Sequence, residues 1–379
     1  MRRRTRGGGR GCHDGAMTTP ETPRPASGRT APEAPTTDGS ASIGHLTEAG
    51  VLARIVPATA EGCEDGARAE SAPEGPRVEV GPGDDAAVVR LASPRLVVST
   101  DTLTQGEDFL LDATCGEWIG AKAAVQNLAD IAAMGARPSA LVVAVTAPAQ
   151  TPIALLEDVS RALSARAARD GAPVVGGDLG AGPVLSLTVT ALGSLPEGSA
   201  PVLRSGARAG DVLAIGTERL GRSGAGLAWI LAGRAAEAQA RELVAWHNAP
   251  DPDLALGWAG AREEDGTAIA SAMLDVSDGL VRDAGRIARA SRVVIDLDHG
   301  ALAPDAEALA DAARALDADA WEWVLHGGEE HAMLATFPTD RVPTGFRRIG
   351  AVRALSEGES PRVLLDGAAI THEGFDHFA

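Results

Sequence analysis

The stretch Met273-Leu274-Asp275-Val276-Ser277-Asp278-Gly279-Leu280 runs a short apolar segment into two carboxylates and a glycine. It has counterparts elsewhere: Gly83-Asp84-Asp85, Ser99-Thr100-Asp101-Thr102, Asn127-Leu128-Ala129-Asp130 and Gly176-Gly177-Asp178. Each stands at the end of an apolar run or on a short helical pattern. A single Asp in such a place is an ordinary turn former or N-cap. Five clusters of this kind, three with Gly beside the carboxylate, point instead to one shared site for hard cations. Such ions take oxygen ligands, and Mg²⁺ commonly bridges a few carboxylates to phosphate oxygens. The expectation is a phosphoryl-transfer enzyme that uses several metal ions.

Working outward, the pattern from Val78 onward alternates strand and helix. Arg95–Ser99 reads as a buried strand, Glu117–Met134 as an Ala-rich helix, Leu141–Val145 as a strand and Ile153–Asp170 as a helix. Val174–Val175 reads as a short strand and Leu185–Leu192 as a longer alternating one. On this reading Ser99, Thr100 and Asp101 leave one strand end, and Asp178 leaves another. After the Gly/Pro/Ser-rich segment 196–208, a second set begins at Asp211–Gly216. It continues with a helix from Ser223, the strand Met273–Asp275, a helix over 280–290 and the strand Val293–Leu297. A helix near 305–316 and strands at Ala332–Phe337 and Arg347–Val352 complete it. The fold class is α/β (α+β) in two halves, placed at 43–197 and 198–379. Residues 1–42 carry almost no large apolar side chain and are expected to be disordered. Residues 61–76 read as a loop, and Met17 is an alternative start.

Composition narrows the function. Acidic residues outnumber basic ones 52 to 34, for a net charge of −18. An acidic body argues against nucleic acid as the main partner and suits an anionic nucleotide bound through cations. Cys12, Cys63 and Cys115 show no C-x-x-C spacing, so neither a disulfide framework nor a cysteine zinc site is expected. No apolar run of membrane-spanning length occurs, and the Arg-rich start lacks the apolar segment of a secretory signal. A cytoplasmic protein is expected, with no membrane partner.

Several tempting motifs fail. Gly221-x-x-Gly224-x-Gly226 lacks the order of a dinucleotide fingerprint and reads as a closely packed helix start. There is no Walker A sequence. Lys122, the one lysine, sits within a helical pattern, which excludes P-loop and protein kinases. His326-Gly-Gly-Glu329-Glu330-His331 matches no helical zinc spacing. Nothing resembles a nucleophile–base pair, so no catalytic general base is predicted. A phosphate acceptor needs none, because its second pKa is near 6 and it is mostly a dianion at neutral pH.

From about His45 to Phe378 the order of motifs resembles the thiamine-monophosphate kinase family, within the superfamily of aminoimidazole ribonucleotide synthetase. The segments that carry the likeness are Gly-Asp-Asp-Ala-Ala-Val-Val (83–89), Ser-Thr-Asp-Thr-Leu (99–103) and Asn-Leu-Ala-Asp-Ile-Ala-Ala-Met-Gly-Ala (127–136), followed by Gly-Gly-Asp (176–178). Arg-Ser-Gly-Ala-Arg-Ala-Gly-Asp (204–211), Asp-Val-Ser-Asp-Gly-Leu (275–280) and Gly-Gly-Glu-Glu (327–330) complete them. The resemblance implies ATP-dependent phosphorylation of thiamine monophosphate to thiamine diphosphate by direct in-line transfer. It implies several Mg²⁺ ions held by Asp85, Ser99, Thr100, Asp101, Asp130, Asp178, Asp275 and Asp278, with ATP contacted by Gly177, Asp178, Arg204 and Ser277. It places the thiamine moiety against Glu329 and Phe375. It also implies a two-domain fold and a homodimer whose N-terminal strands build one barrel. Two departures stand out: Asp108 precedes Phe109 where the family often has His, and Glu330-His331 replaces the family's Asp-Tyr. The alternatives are a related ATP-dependent enzyme with another small acceptor, or a non-catalytic nucleotide- and metal-binding regulator.

Overall fold

The structure is a computed structural model that describes residues 42–67, 77–82, 86–263 and 265–370. The expected disorder of 1–42 therefore falls almost wholly outside the described residues, as do Asp84, Asp85 and Phe375. Within the described residues, the N-terminal half holds helix α1 (Glu48–Ala67), a two-stranded ribbon and a four-stranded sheet. The ribbon is β1 (Arg77–Val80) with β2 (Val88–Arg90). The sheet comprises β3 (Leu96–Thr104), β4 (Arg137–Ala147), β5 (Val174–Ala181) and β6 (Ser186–Ser194), in the order β3-β6-β4-β5. Only the β4–β5 pair is parallel, joined through helix α3 (Ile153–Arg169).

The sheet has two unlike faces, because side chains alternate along a strand. Leu103, Leu187, Val189 and Leu141 point inward and are fully buried under helix α2 (Gly116–Ala133) and α3. Leu96, Val98 and Val142 point outward and stay 50%, 55% and 38% exposed. Helix α2 is the Ala-rich segment expected from sequence, and its small side chains let it lie close against the strands. Most of its residues are buried, including the polar Lys122 and Asn127.

A seven-stranded sheet forms the C-terminal half. It consists of β7 (Val212–Ile215), β8 (Ala272–Asp275), β9 (Val294–Leu297), β10 (Met333–Phe337), β11 (Arg347–Arg353), β12 (Arg362–Leu365) and β13 (Ala368–Ala369). Their order is β13-β12-β9-β11-β7-β10-β8, so β8 lies at an edge. The helices of this half are α4 (Arg222–Leu231), α5 (Arg241–Asn248), α6 (Leu280–Ser291), α7 (His299–Leu316) and α8 (Ala320–His326). Asp298 caps α7 by accepting from Ala301 N at 3.0 Å, which starts that helix earlier than its apolar pattern suggests. Helix α2 also touches β8 and β10, and one apolar cluster runs from Leu103 and Leu128 to Met273, Met333 and Phe337. That continuous packing fixes the N-terminal carboxylates relative to those at the end of β8.

Four sequence expectations need correction. Residues 61–67 belong to α1 rather than to a loop, and the pattern of α1 is hidden in the sequence because Pro57, Thr59 and three Gly interrupt it. Ser99–Asp101 lie inside β3, not at its end, because Thr100, Thr102 and Thr104 carry the ladder with β6 onward. Asp178 likewise lies inside β5, which continues to Ala181. A Cβ at Gly177 would stand 1.9 Å from Val143 O, so this glycine is required by the close β4–β5 approach. Finally, Cys115, just before α2, is disulfide-bonded.

Candidate active site

Ser99 and Asp101 project from the inner face of β3 toward α2. Ser99 Oγ donates to Asp130 Oδ2 at 2.5 Å, and Asn127 Oδ1 accepts from Asp101 N at 3.0 Å. Asn127 and Asp130 are three residues apart and share one side of the helix. Asp275 arrives at the end of β8 and is 5% exposed. Gly279, at φ 107° and with no room for a Cβ against His326 O, then turns the chain into α6.

The charges of these groups act on one another. Burial, followed by the charge of Asp275, pushes Asp130 up to about 6. Burial also raises Asp101, with Asp275 and Asp278 adding to the shift and His331 opposing it. Asp101 on β3, Asp130 on α2 and Asp275 at the end of β8 are oxygen donors of the kind that suits a hard divalent cation. As the side chains stand, no group of three His, Cys, Asp or Glu among the described residues is close enough to ligate an ion.

The remaining predicted ligands fare differently. Thr100 points to the outer face, where its hydroxyl donates to Val189 O at 2.9 Å and pairs with Thr190 Oγ1 at 3.1 Å. Asp178 is opposite Ala144 on that same outer face and is exposed. Neither side chain joins the inner carboxylates. Asp278 lies beside the cluster but is ion-paired with Arg286. Arg204 is exposed, and its carbonyl accepts from Ser291 Oγ at 2.8 Å. Ser277 accepts from Glu329 N at 2.8 Å through its own carbonyl.

Sequence reasoning missed several participants. Asp283, fully buried in the first turn of α6, accepts from Asp278 N at 2.9 Å and pairs with Arg286 at 2.5 Å. Burial, and then the charge of Asp275, raises it to about 7. Its position on the apolar side of an amphipathic helix was the available signal. His331 Nδ1 lies 3.0 Å from Asp275 Oδ2, and its Nε2 is buried without a hydrogen-bond partner. Burial pulls His331 down, but the Asp275 contact outweighs it and the net shift is upward. Glu330 is also buried, accepting from Ser223 N at 2.9 Å and from Trp246 Nε1 at 2.8 Å. The Arg222 guanidinium stacks on Trp246, 3.2 Å from the ring centroid. The two residues that depart from the family pattern thus serve different ends: Glu330 ties α4 to α5, while His331 holds Asp275.

Glu329 faces Lys122 Nζ at 2.6 Å and His247 Nδ1 at 3.3 Å, with 29% of its side chain exposed. Burial would raise this carboxyl, but Lys122 and His247 more than compensate and hold it below the usual range. His247 is pulled down to about 4 by burial and by Lys122. The glycines of 221–226 open α4 and pack it closely: a Cβ at Gly226 would stand 2.1 Å from Leu243 O. They are structural, as the sequence suggested.

The model of the N-terminal domain of AIR synthase related protein matches residues 83–195. A thiamine-monophosphate kinase of Mycobacterium tuberculosis (strain ATCC 25618 / H37Rv) is 47% identical over 304 residues, covering 79% of this chain and 86% of that protein. The solved thiamine-monophosphate kinase of Stenotrophomonas maltophilia K279a aligns with a TM-score of 0.68 at 29% identity, over 84% of this chain and 97% of that one. The structure of AaThiL complexed with AMPPCP and TMP aligns at 0.67 and 28% identity, over 78% and 91%. The chain belongs to the thiamine-monophosphate kinase family.

Proposed function

We propose that this protein transfers the γ-phosphoryl group of ATP to thiamine monophosphate, giving thiamine diphosphate and ADP. The reading is carried by Asp101 on β3, Asp130 on α2 and Asp275 at the end of β8, whose charges act on one another, within a chain of this family. The related AaThiL structure contains AMPPCP and TMP, a nucleotide analogue and a candidate acceptor. A phosphate oxygen of the acceptor attacks the γ-phosphorus, and the bond from that phosphorus to the β–γ bridging oxygen breaks. The acceptor phosphate is already largely ionised, so no side chain has to remove a proton. The protein's task is to align the two phosphates and to set charge around them.

Asp101, Asp130 and Asp275 are the residues that would hold Mg²⁺, with Ser99 fixing the Asp130 carboxylate and His331 fixing Asp275. Bound there, divalent cations supply charge neutralisation of the phosphates and a template for in-line transfer. Asp85 and Asp278 remain proposed metal ligands from the family likeness, as do Gly177, Asp178, Arg204 and Ser277 for ATP, whereas the side chains of Thr100 and Asp178, turned to the outer face, are not carried forward as metal ligands. Glu329 and Phe375 are proposed to hold the thiamine moiety.

The proposal extends to a two-domain division at 43–197 and 198–379 and to a cytoplasmic homodimer. The outer face of the four-stranded sheet supports the dimer. It exposes Leu96, Val98 and Val142 beside a ladder of threonine hydroxyls, and exposed apolar patches of this kind commonly mark interfaces. Covering that face with its copy would bury those side chains, and the family likeness implies that the strands of the two chains then build one barrel. Among the described residues no helix is long and apolar enough to cross a membrane.

The test is an assay of purified protein with ATP, Mg²⁺ and thiamine monophosphate. Stoichiometric thiamine diphosphate and ADP are expected. No thiamine diphosphate above background would overturn the reading.

A further inference from the structure

The chain contains one lysine, and it is almost wholly buried: Lys122 is 1% exposed in the middle of α2. Burying a lysine is costly, and an ion pair in such a place rarely stabilises more than an apolar side chain would. The contacts of this one suggest a different purpose. Its Nζ lies 2.6 Å from Glu329 Oε1 and donates to Asp108 O at 3.1 Å. Asp108 Oδ2 in turn accepts from Thr104 N at 2.7 Å, closing the turn that follows β3 and seating Phe109, which is 4% exposed. One ammonium therefore ties helix α2 to a turn of the N-terminal half and to a loop of the C-terminal half.

The far side of Glu329 is equally constrained. Its backbone sits at φ 60°, a strained value for a non-glycine residue. Glu329 N donates to Ser277 O and His331 N donates to Val276 O, both at 2.8 Å. The loop is thereby clamped to the same turn that carries Asp275 and Asp278. Lys122 and Asp130 lie eight residues apart on one helix, a rise of about 12 Å. Helix α2 thus carries the fixed point for Glu329 near one end of the site and a cluster carboxylate at the other.

We propose that Lys122 is a positioning residue for the acceptor: it holds the Glu329 carboxylate and the 104–109 turn as two walls of the thiamine pocket, at a fixed spacing from the carboxylate cluster. This rests on the proposed reading of Glu329 as an acceptor contact. Lys122 also neutralises Glu329. The carboxylate then offers the acceptor a directed hydrogen-bond acceptor rather than a free negative charge.

The experiment compares wild-type protein, Lys122→Met, Glu329→Gln and the double variant Lys122→Met/Glu329→Gln. KM for each substrate, kcat and thermal midpoint are measured. Lys122→Met is expected to raise KM for thiamine monophosphate about tenfold or more while KM for ATP stays within about twofold. It is also expected to lower the thermal midpoint, because the half-buried Glu329 loses its charged partner and keeps only His247. In the double variant the midpoint should recover while KM for the acceptor stays high. There the acceptor KM should rise by much less than the product of the two single effects, because Lys122 acts through Glu329, and fully multiplicative effects would overturn the proposal. So would a folded Lys122→Met with unchanged acceptor KM, or with equal changes for both substrates. If Lys122→Met alone does not fold, Lys122→Arg, which keeps the charge but displaces the Glu329 contact, takes its place in the same comparison. Wild-type protein that makes no thiamine diphosphate sinks the functional reading and this inference with it, whereas active wild type with an indifferent Lys122 sinks the inference alone.

Discussion

The two faces of the four-stranded sheet are built from neighbouring residues and do opposite things. On the inner face, Ser99 and Asp101 meet Asp130 and Asn127 and look toward Asp275. On the outer face, Thr100 pairs with Thr190, Thr102 with Thr188 at 2.9 Å and Thr104 with Ser186 at 3.3 Å. Those hydroxyls satisfy one another, while Leu96 and Val98 lie open beside them. The inner face collects charge that a cation would neutralise. The outer face collects apolar surface that a protein would cover. One step along a strand separates the two roles, so adjacency in sequence is a poor guide to membership of the site.

The largest effect should come from the inner face. Asp130→Asn or Asp275→Asn is expected to cut turnover by about a hundredfold or more, with circular dichroism unchanged. Thr100→Val, one residue from Asp101 but on the other face, should leave turnover within a few-fold. Near-normal activity of Asp130→Asn at low Mg²⁺ would break the contrast.

The outer face gives the next effect. Val98→Arg places a charge in the middle of the exposed apolar patch. Sedimentation is expected to report a dimer for the wild type and a monomer for the variant. An unchanged dimer would move the interface elsewhere.

Acceptor contacts should be smaller. Glu329→Gln and Phe375→Ala are expected to raise KM for thiamine monophosphate about tenfold, much more than KM for ATP. Equal changes for both substrates would mark them as packing residues.

The smallest effect is on metal-free stability. Asp130 is raised from its ordinary 3.8 to about 6, so the folded state holds this proton more tightly than the unfolded chain. Stability is therefore lost as pH rises from about 4 through about 6, by on the order of 3 kcal/mol. Asp283, raised to about 7, extends the loss to higher pH in the same direction. Thermal melts in chelator should show a midpoint that falls from pH 5 to pH 8, less steeply in Asp130→Asn. Mg²⁺ should restore more stability at pH 8 than at pH 5.

Much of this was legible in the sequence, and its gaps have physical causes. Helices α2, α3 and α6 declared themselves by periodicity, and strands β8, β9 and β10 by short apolar runs. Helix α1 did not, because Pro57 breaks its pattern and its packing against α3 overrides that weak propensity. The Asp at 101, 130 and 275 could be listed from their motifs, but nothing in a one-dimensional pattern says which face of β3 or β5 a residue occupies. That required the register with β6 and β4, and it separated Thr100 and Asp178 from the cluster. The Lys122–Glu329 pair spans 207 positions and joins two halves of the molecule. A lysine inside an alanine-rich helix gives no hint of a partner that far away.

The most direct test of the inner-face site is calorimetric titration of Mn²⁺ into the protein saturated with AMPPCP. Wild type and Thr100→Val are predicted to bind the ion alike, and Asp130→Asn to lose most of that binding. Undiminished binding by Asp130→Asn, or equal loss in Thr100→Val, would contradict the account.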